Sequence, residues 1–206
     1  MDKKKVIGLA ALGAGILFLV TRKKAAPVIV KSMTAVEFYK TYYPIALQDQ
    51  KKTGVPALFT LAQAAIESAY GRAAPGFNFF GIKAGSSWKG KTQLLKTWES
   101  GKTGDPVKDH ITDKVIQIFK PGEKGGIYKN AYSYRVYGKF KAYGSALESF
   151  NDHSAFLLQN KRYSEAFKKS DPKQFAEAIA KAGYATDPNY ASTLTKQIDI
   201  VKKNVA

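Results

Sequence analysis

The sequence predicts an α+β fold, in which a mainly helical body receives one small β-lobe as an insertion. Helix-start signals cluster before Gly76 and after Gly144. Between these two glycines, Gly, Lys, Ser and Thr alternate with apolar residues, a pattern typical of strands and hairpin turns. The chain has 206 residues and is 45% hydrophobic, which suffices for one domain-sized core and argues against global disorder.

The first element, residues 1–24, is an apolar run between two basic flanks. Lys3–Lys5 precede fifteen apolar or Gly residues, Val6–Val20, and three cations follow in Thr21–Lys24. As a helix this run would span about 22 Å, which is short of the ~30 Å hydrocarbon core but tolerable if the flanking cations snorkel. We favour a short transmembrane anchor; an uncleaved or cleaved signal peptide and a buried core helix remain as alternatives.

Residues 25–32 read as a linker, in which Pro27 precedes a Val-Ile-Val run. The globular domain is expected over residues 33–206, with the β-lobe and its insertion at about 85–144. This domain carries 26 Lys and Arg against 15 Asp and Glu, so it is basic without the N-terminal segment.

Two helices are predicted in the first part of the domain. Thr34 and Glu37 form a capping box at the start of the first helix, which Pro44 should kink or divide. Pro56 stands at a first-turn position of the second helix, and Gly71 fits just past its end.

Three more helices are predicted in the last part. Ser145 and Glu148 form a second capping box, at the start of a helix that runs to about Gln159. Asp171-Pro172 and Asp187-Pro188 each place an N-cap residue before a Pro, which is typical of a helix start.

The β-lobe contains three apolar clusters that predict strands. They lie at Leu94–Trp98, Val115–Ile118 and Tyr134–Phe140, and loops are expected at Gly101–Gly104 and Pro121–Gly126.

Composition excludes several functional classes. The absence of Cys rules out disulfides, a thiolate nucleophile and Cys-ligated zinc, and two His residues make a His-rich metal site improbable. Common metalloprotease, esterase and nucleotide-binding motifs are absent, so no cofactor or metal is expected. The net charge of +17 predicts attraction to an anionic partner: nucleic acid, a membrane surface or cell wall.

The second predicted helix contains a single charged residue. Gly54–Gly71 reads GVPALFTLAQAAIESAYG, and Glu67 is its only ionisable carboxyl. At helical spacing Glu67 lies opposite the apolar stripe, on a face that offers Thr60 and Gln63 instead of further charges. This pattern predicts a helix covered on most sides, with Glu67 in a partly dry cleft where desolvation raises its pKa, as a general acid requires. A structural Glu that caps the helix or pairs with Lys is the alternative.

Several short motifs occur in a characteristic order. They are AQAAIESAYG (62–71), NFFGIK (78–83), SWKG (87–90), FKAYGS (140–145), NKRY (160–163) and AGYATDPNYA (182–191). Together they resemble the bacterial glucosaminidase family, glycoside hydrolase family 73, which includes wall-cutting domains of flagellar-rod proteins, autolysins and phage lysins. The resemblance covers about residues 33–203.

The resemblance implies a lysozyme-like two-lobed fold and an endo-β-N-acetylglucosaminidase that cuts peptidoglycan at β-1,4 bonds. It places Glu67 at the general-acid position, the second carboxylate at Glu99 and an implicated tyrosine at Tyr184. Two features depart from the family pattern: Tyr70 stands where the family has Trp, and the Ser100–Lys139 segment is longer than the family's hairpin.

Further candidates for substrate contact are polar residues of the motifs and aromatic side chains able to stack on sugar rings. They are Tyr70, Asn78, Phe79, Phe80, Trp88, Tyr143, Tyr163 and Asp187.

Two routes for hydrolysis stay open from the sequence. A water activated by Glu99 would give inversion, whereas attack by the sugar's own acetamido group would need Tyr184 or Asp187 to orient it. A lytic transglycosylase or muramidase on the same substrate is the competing enzyme. A noncatalytic cationic binder of wall or nucleic acid is the competing binding protein, although no nucleic-acid partner is expected because the lysines are dispersed and no such motif occurs.

The predicted partners are therefore peptidoglycan glycan strands and, through the N-terminal segment, a membrane. Together these features predict a membrane-anchored bacteriolytic enzyme that faces the cell wall, in a bacterial envelope or a membrane-containing virion.

Overall fold

The computed structural model describes residues 33–185 and 187–206. The predicted anchor at 1–24 and linker at 25–32 lie outside the described residues. The described chain forms two compact units: a helical unit, residues 33–82 and 143–206, and a sheet unit, residues 83–142. The predicted α+β class is confirmed. Within the described ranges, no helix is both long and apolar enough to cross a membrane.

The helical unit is built from α-helices connected by loops and short 3₁₀ turns. Its helices are α1 (Ala35–Thr53), α2 (Ala57–Glu67), α3 (Ala146–Gln159), α4 (Pro172–Lys181) and α5 (Tyr190–Val205).

The predicted start of α1 is confirmed. The Thr34 side chain accepts a hydrogen bond from the Glu37 backbone N–H, and the Glu37 carboxylate accepts one from the Thr34 backbone N–H. Pro44 was expected to kink or divide α1; it lies inside one continuous helix, so the division is excluded and the kink stays a prediction. Gly54 ends the helix in the left-handed conformation, at φ 78°.

Helix α2 is shorter than predicted. Pro56 is its N-cap residue, and the helix ends at Glu67 and not near Gly71. The next residues turn sharply, because Ala69, Tyr70 and Gly71 all have positive φ. The glycine is the one member of this run that adopts such a conformation without steric penalty.

The two last helices start differently. Asp171 caps α4 as predicted, since its carboxylate accepts hydrogen bonds from two backbone N–H groups. Asp187 does not cap α5, whose N-cap is Asn189 and whose first residue is Tyr190. The Asp187 carboxylate instead accepts a hydrogen bond of 2.8 Å from the Asn189 N–H, which closes the turn before the helix.

The core of the helical unit is rich in aromatic rings from every helix. Its largest fully buried aromatic side chains are Phe38, Tyr39, Phe59, Phe79, Phe80, Phe150, Phe175 and Tyr184. Edge-to-face contacts dominate, as between Phe79 and Phe150, whose centroids are 5.6 Å apart at 85°. This packing surrounds α2, where eight of the eleven residues are buried.

The sheet unit holds three antiparallel strands in the order β1-β3-β2. They are β1 (Thr92–Gly101), β2 (Lys114–Phe119) and β3 (Tyr132–Lys141). All three predicted strands are thereby confirmed. Strand β2 belongs to the Ser100–Lys139 segment that the sequence marked as unusually long, so this segment adds an edge strand to the sheet.

Candidate active site

Glu67 is the last residue of α2 and is half-buried. The preceding turns contain no other charged side chain, and among the described residues no ion pair involves Glu67. Burial raises the pKa of Glu67 from 4.5 to about 7, against a smaller lowering by a hydrogen bond from Tyr190. The carboxyl is therefore partly protonated at neutral pH, which suits a proton donor.

Tyr190 and Gln63 form a hydrogen-bonded chain that leads to Glu67. The Gln63 Nε2 donates to the Tyr190 hydroxyl at 2.7 Å, and this hydroxyl donates to Glu67 Oε1 at 3.4 Å. Gln63 is fully buried and lies one turn before Glu67 on α2, whereas Tyr190 opens α5. Burial, reinforced by the Glu67 charge, raises the pKa of Tyr190, so its hydroxyl remains a donor.

Three tyrosines near this carboxyl are linked by successive ring contacts. The Tyr184 ring stacks on Tyr190, with centroids 5.7 Å apart at 18°, and the Tyr163 ring centroid lies 6.1 Å from that of Tyr184. Tyr184 is buried, and burial together with the neighbouring Tyr190, Glu67 and Tyr163 raises its pKa. We call Tyr163, Tyr184 and Tyr190 the tyrosine row.

His153 supports the tyrosine row from within the core. Its ring stacks on Phe80 with centroids 3.8 Å apart at 10°, and its Nε2 lies 3.5 Å from the Tyr184 hydroxyl oxygen. Full burial lowers the pKa of His153 to about 3, so the imidazole is neutral at physiological pH. His153 therefore contributes a neutral hydrogen-bonding group next to Tyr184.

The turn after α2 holds Glu67 in place. The Ser68 hydroxyl donates to the Ala64 carbonyl and accepts a hydrogen bond of 2.8 Å from the Gly71 N–H. Tyr70 is half-buried, and its ring packs edge-on against Phe38 at 6.1 Å. A turn tied to the helix end by its own serine restricts the backbone on the C-terminal side of the carboxyl.

Three consecutive residues that were predicted to contact substrate lie buried in the helical unit. Phe79 and Phe80 are 0% and 1% exposed, so the structure assigns these rings to packing and not to the predicted sugar platforms. Asn78 is also buried; it accepts a hydrogen bond of 2.9 Å from the Ile82 N–H and donates one of 3.0 Å to the Ile82 carbonyl. These two bonds explain why an Asn suits this loop.

Tyr143 and Tyr163 are also largely buried. The Tyr143 hydroxyl donates a hydrogen bond of 2.8 Å to Asp152 Oδ2 on α3. Tyr163 is a member of the tyrosine row and packs against Phe156 at 6.0 Å. Any contact of these residues with a sugar would therefore involve a ring edge or hydroxyl and not a fully exposed ring face.

Glu99 and Trp88 belong to the sheet unit. The Lys83 ammonium donates to the carboxylate of Glu99 and, at 2.6 Å, to that of Asp113. Burial alone would lower the pKa of Lys83, but the two carboxylates outweigh it and the net direction is upward. Trp88 is half-buried, and the Lys141 ammonium lies 4.3 Å from its ring centroid.

The helical unit thus brings together Glu67, Tyr163 and Tyr184 among the predicted site residues. Sequence reasoning placed Gln63 on the same helix face as Glu67 but missed its hydrogen bond to Tyr190, and it missed Tyr190 and His153 as neighbours of the site. Gln63 and Tyr190 stand inside two quoted motifs, AQAAIESAYG and AGYATDPNYA, so their motif membership was an available signal. Within the described residues, no group of three or more His, Cys, Asp or Glu side chains is placed to hold a metal ion.

Comparison with known sequences identifies the family of this chain. Residues 43–203 match the glucosaminidase family, described as mannosyl-glycoprotein endo-β-N-acetylglucosaminidase. The peptidoglycan hydrolase FlgJ of Salmonella typhimurium is 35% identical over 159 residues, which are 74% of this chain and 42% of that protein. FlgJ of Escherichia coli K12 is 33% identical over 166 residues, 77% of this chain and 44% of that protein. The chain therefore spans less than half the length of these relatives.

Solved structures agree with this result. The glycoside hydrolase domain of S. typhimurium FlgJ superposes with a TM-score of 0.62 at 31% identity, covering 83% of this chain and 90% of that domain. A peptidoglycan hydrolase from Sphingomonas sp. A1 gives 0.57 at 28% identity, covering 83% and 93%. The expected lysozyme-like glycoside hydrolase fold, with helices and a small sheet, is thereby confirmed. Since the family match extends over most of the domain, the chain belongs to the glucosaminidase family, glycoside hydrolase family 73.

Proposed function

We propose that this chain is an endo-β-N-acetylglucosaminidase that hydrolyses the β-1,4 glycosidic bonds of bacterial peptidoglycan. The observation that carries the proposal is the Glu67 carboxyl, half-buried at the end of α2, with a pKa raised to about 7. Family membership supports the reaction class. The substrate class is supported by relatives named peptidoglycan hydrolase, which match about three-quarters of the chain.

In the proposed reaction Glu67 acts as the general acid. It transfers its proton to the glycosidic oxygen while the bond from that oxygen to the anomeric carbon breaks, so the leaving sugar departs as an alcohol. Water supplies the hydroxyl group that ends on the anomeric carbon. Its other proton passes to a carboxylate of the site and replaces the proton that Glu67 gave up. Tyr190 supports this role because its hydrogen bond stabilises the carboxylate that remains after proton transfer.

The second catalytic group depends on the route. In the inverting route Glu99 deprotonates the attacking water, and the hydrogen bond from the Lys83 ammonium holds the Glu99 carboxylate in position. That route requires a separation of roughly 6.5–9.5 Å between the two carboxyl groups. In the substrate-assisted route the acetamido oxygen attacks, Tyr184 or Asp187 orients the acetamido group, and Glu99 is secondary.

Sugar contacts are proposed for the aromatic residues whose rings are partly accessible. Tyr70 lies three residues after Glu67, in the turn that follows α2, and its half-buried ring is a platform candidate. Trp88 is the corresponding candidate in the sheet unit. Tyr190 of the tyrosine row supplies a hydroxyl group beside Glu67, whereas Asn78 and Tyr143 act in this proposal by shaping loops around the site.

We further propose that the domain acts at the cell wall while residues 1–24 tether it to a membrane. The support is the apolar Val6–Val20 run between lysine-rich flanks. Expression of the full chain and of a form lacking residues 1–24, followed by membrane flotation, tests the tether. The full chain should float with lipid and the shortened form should not.

The catalytic proposal is tested by digesting purified peptidoglycan and identifying the fragments by mass spectrometry. Wild type, Glu67→Gln, Glu99→Gln and a matched control, Glu177→Gln on the exposed side of α4, are compared. We expect fragments with a reducing N-acetylglucosamine end from wild type and control, and a loss of at least about a thousandfold for Glu67→Gln.

Other outcomes identify the competing functions. Anhydro-muramyl ends would assign a lytic transglycosylase, and a reducing N-acetylmuramic acid end would assign a muramidase. Full activity in a folded Glu67→Gln variant would remove Glu67 from the acid role. Salt-sensitive wall binding without bond cleavage by wild type would leave a noncatalytic wall binder.

A further inference from the structure

The positive charge of the domain is concentrated in the sheet unit. Residues 83–142 contain 13 Lys and Arg against five Asp and Glu, whereas residues 33–82 and 143–206 contain 13 against ten. The sheet unit therefore carries most of the net charge in about a third of the domain. Neither the general-acid chemistry at Glu67 nor the Lys83 ion pairs explains this excess.

The five carboxylates of the sheet unit are all engaged by groups of that unit. Glu99 and Asp113 bind the Lys83 ammonium. Asp109 accepts hydrogen bonds from the Tyr134 hydroxyl and from backbone N–H groups of the loop after β1. Asp105 and Glu123 accept backbone N–H bonds within their own turns. These carboxylates thus serve local structure.

One face of the sheet collects cations and aromatic rings. Side chains alternate along a strand, and the register aligns Trp98 with Arg135, Lys96 with Tyr137, and Leu94 with Lys139. Lys114 of β2 pairs with Tyr137 from the other side. We call this set the cationic–aromatic face; its members are Leu94, Lys96, Trp98, Lys114, Arg135, Tyr137 and Lys139.

Cations and rings are interleaved on this face. The Lys96 ammonium lies 5.7 Å from the Tyr137 ring centroid, and the Arg135 guanidinium lies 5.7 Å from that of Trp98. Lys114 and Lys139 are exposed, and Leu94 is 68% exposed. Among the described residues, no carboxylate forms an ion pair with the four cations of the face.

The opposite face of the sheet has a different character. Thr97, Tyr134, Val136 and Phe140 alternate with the residues of the cationic–aromatic face, and all four are buried. Glu99 pairs with Tyr134 and therefore belongs to this opposite face. Changes on the cationic–aromatic face consequently leave the Glu99, Lys83 and Asp113 group intact.

We infer that the cationic–aromatic face binds a carboxylate-bearing stretch of peptidoglycan glycan, separately from the residues proposed for catalysis. Half-buried rings offer apolar surface to the C–H face of a sugar, and the flanking ammonium and guanidinium groups complement the carboxylates of lactyl and peptide substituents. Charge complementarity identifies the ligand as anionic, since the face carries four cations and no carboxylate. That the anionic polymer is peptidoglycan rests on the proposed function.

Strand β2 gives the face its width. It supplies Lys114 and lies within the Ser100–Lys139 segment, which the sequence resemblance marks as longer than the family's hairpin. In this inference the Ser100–Lys139 segment widens the binding surface, which would hold the enzyme on insoluble peptidoglycan between successive cleavage events.

The test measures binding to purified wall by co-sedimentation, with all proteins carrying Glu67→Gln to prevent digestion. The face variant is Lys96→Gln/Lys114→Gln/Lys139→Gln. The matched control, Lys102→Gln/Lys124→Gln/Lys129→Gln, removes the same charge from exposed loop positions of the same unit. A single variant, Tyr137→Leu, removes one ring and keeps every charge. Thermal unfolding checks that each protein is folded.

We expect the face variant to bind wall about tenfold more weakly than the control triple, because it lacks three lysines that would form ion pairs with carboxylates of the wall. Tyr137→Leu should also weaken binding. Amidation of the wall carboxylates removes their charge, so the face variant and the protein with an intact face should bind amidated wall equally. Should the triple variant fold poorly, Lys139→Gln alone, at an exposed strand position, is compared with Lys129→Gln.

Three outcomes would overturn the inference. Equal binding by face and control triples would show a general charge effect. A difference only on wall that retains phosphate polymers would assign the face to those polymers, and a difference only on duplex DNA would assign it to nucleic acid. Failure of the proposed function appears elsewhere, as absence of cleavage by the protein with Glu67 intact.

Discussion

The Tyr190 hydroxyl donates a hydrogen bond of 3.4 Å to Oε1 of Glu67, joining the start of α5 to the end of α2. Burial raises the pKa of Glu67, and this hydrogen bond lowers it by favouring the charged form. Two opposing effects therefore set the acid strength of Glu67. Burial and the Tyr190 hydrogen bond both arise within the helical unit, so substitutions in that unit can alter the pKa of Glu67.

The first prediction concerns the pH dependence of cleavage. Activity should fall above about pH 7, roughly tenfold per pH unit, as Glu67 loses its proton. Tyr190→Phe removes the hydrogen bond that favours the carboxylate, so the pKa of Glu67 rises and the alkaline limb moves to higher pH. Measurement of kcat/KM against pH on a soluble glycan fragment checks this.

Tyr43→Phe on α1 is the control for this measurement, since Tyr43 has no contact with Glu67 among the described interactions. Its pH profile should match that of the wild type. A limb that stays in place or moves to lower pH in Tyr190→Phe would contradict the assignment of that limb to Glu67.

The second prediction concerns stability. Because the folded pKa of Glu67 is above its unfolded value of 4.5, the folded state binds more protons between pH 4.5 and 7. Wild type therefore loses stability as pH rises through this window, and Glu67→Gln lacks that loss. The stability of Glu67→Gln relative to wild type should increase by about 1–2 kcal/mol from pH 4 to pH 8. Thermal unfolding of both proteins at pH 4 and pH 8 measures this difference, and an equal difference at the two pH values would exclude the linkage.

The third prediction concerns a buried carboxyl that joins α1 to α3. The Ser154 hydroxyl donates a hydrogen bond of 2.6 Å to Asp49 Oδ2, and both side chains are fully buried. Burial raises the pKa of Asp49 to about 6, whereas the bond from Ser154 lowers it. Ser154→Ala should cost about 1–3 kcal/mol at pH 7.5 and less below pH 4, where folded Asp49 is protonated in both wild type and variant.

Ser149→Ala is the matched control on the same helix. Ser149 is fully buried, and its hydroxyl has no hydrogen-bond partner among the described residues. Its loss should therefore change stability little at either pH. Chemical denaturation measures both variants, and an equal cost for the two would show that the hydrogen bond to Asp49 contributes nothing specific.

The fourth prediction concerns the ion pairs of Lys83. Lys83→Met leaves Glu99 and Asp113 near each other without their shared cation, so the sheet unit should lose about 1–2 kcal/mol. Adding Asp113→Asn removes the repulsion and should recover part of this loss. Lys89→Met, at an exposed position, is the control. A double variant no more stable than Lys83→Met would contradict the coupling.

Local signals predicted much of the secondary structure because the interactions behind them span only a few residues. The capping residues Thr34, Ser145 and Asp171 bond to backbone N–H groups two or three positions away. Asp187 carries the same Asp-Pro signal, yet its carboxylate bonds to the Asn189 N–H and α5 starts later. The same side-chain chemistry therefore closes a turn in one place and caps a helix in another.

The uncharged stretch around Glu67 predicted a covered helix, and the structure confirms that cover. Thr60 and Gln63, expected opposite the apolar stripe, are fully buried. The partners that tune Glu67 were beyond the reach of the pattern, because Tyr190 lies 123 residues later in the chain. Phe79 and Phe80 show the converse: aromatic residues inside a motif were taken for sugar platforms, whereas they pack in the core.

Composition, motif order and short-range periodicity predicted the fold class, the family, the position of Glu67 in an uncharged helix and the three strands, because these features are encoded locally. The folded chain was needed to show which groups surround that carboxyl, which carboxylates share Lys83, and which face of the sheet collects cations. Those relationships depend on side chains brought together from distant parts of the chain, and burial and electrostatics act through distance in space.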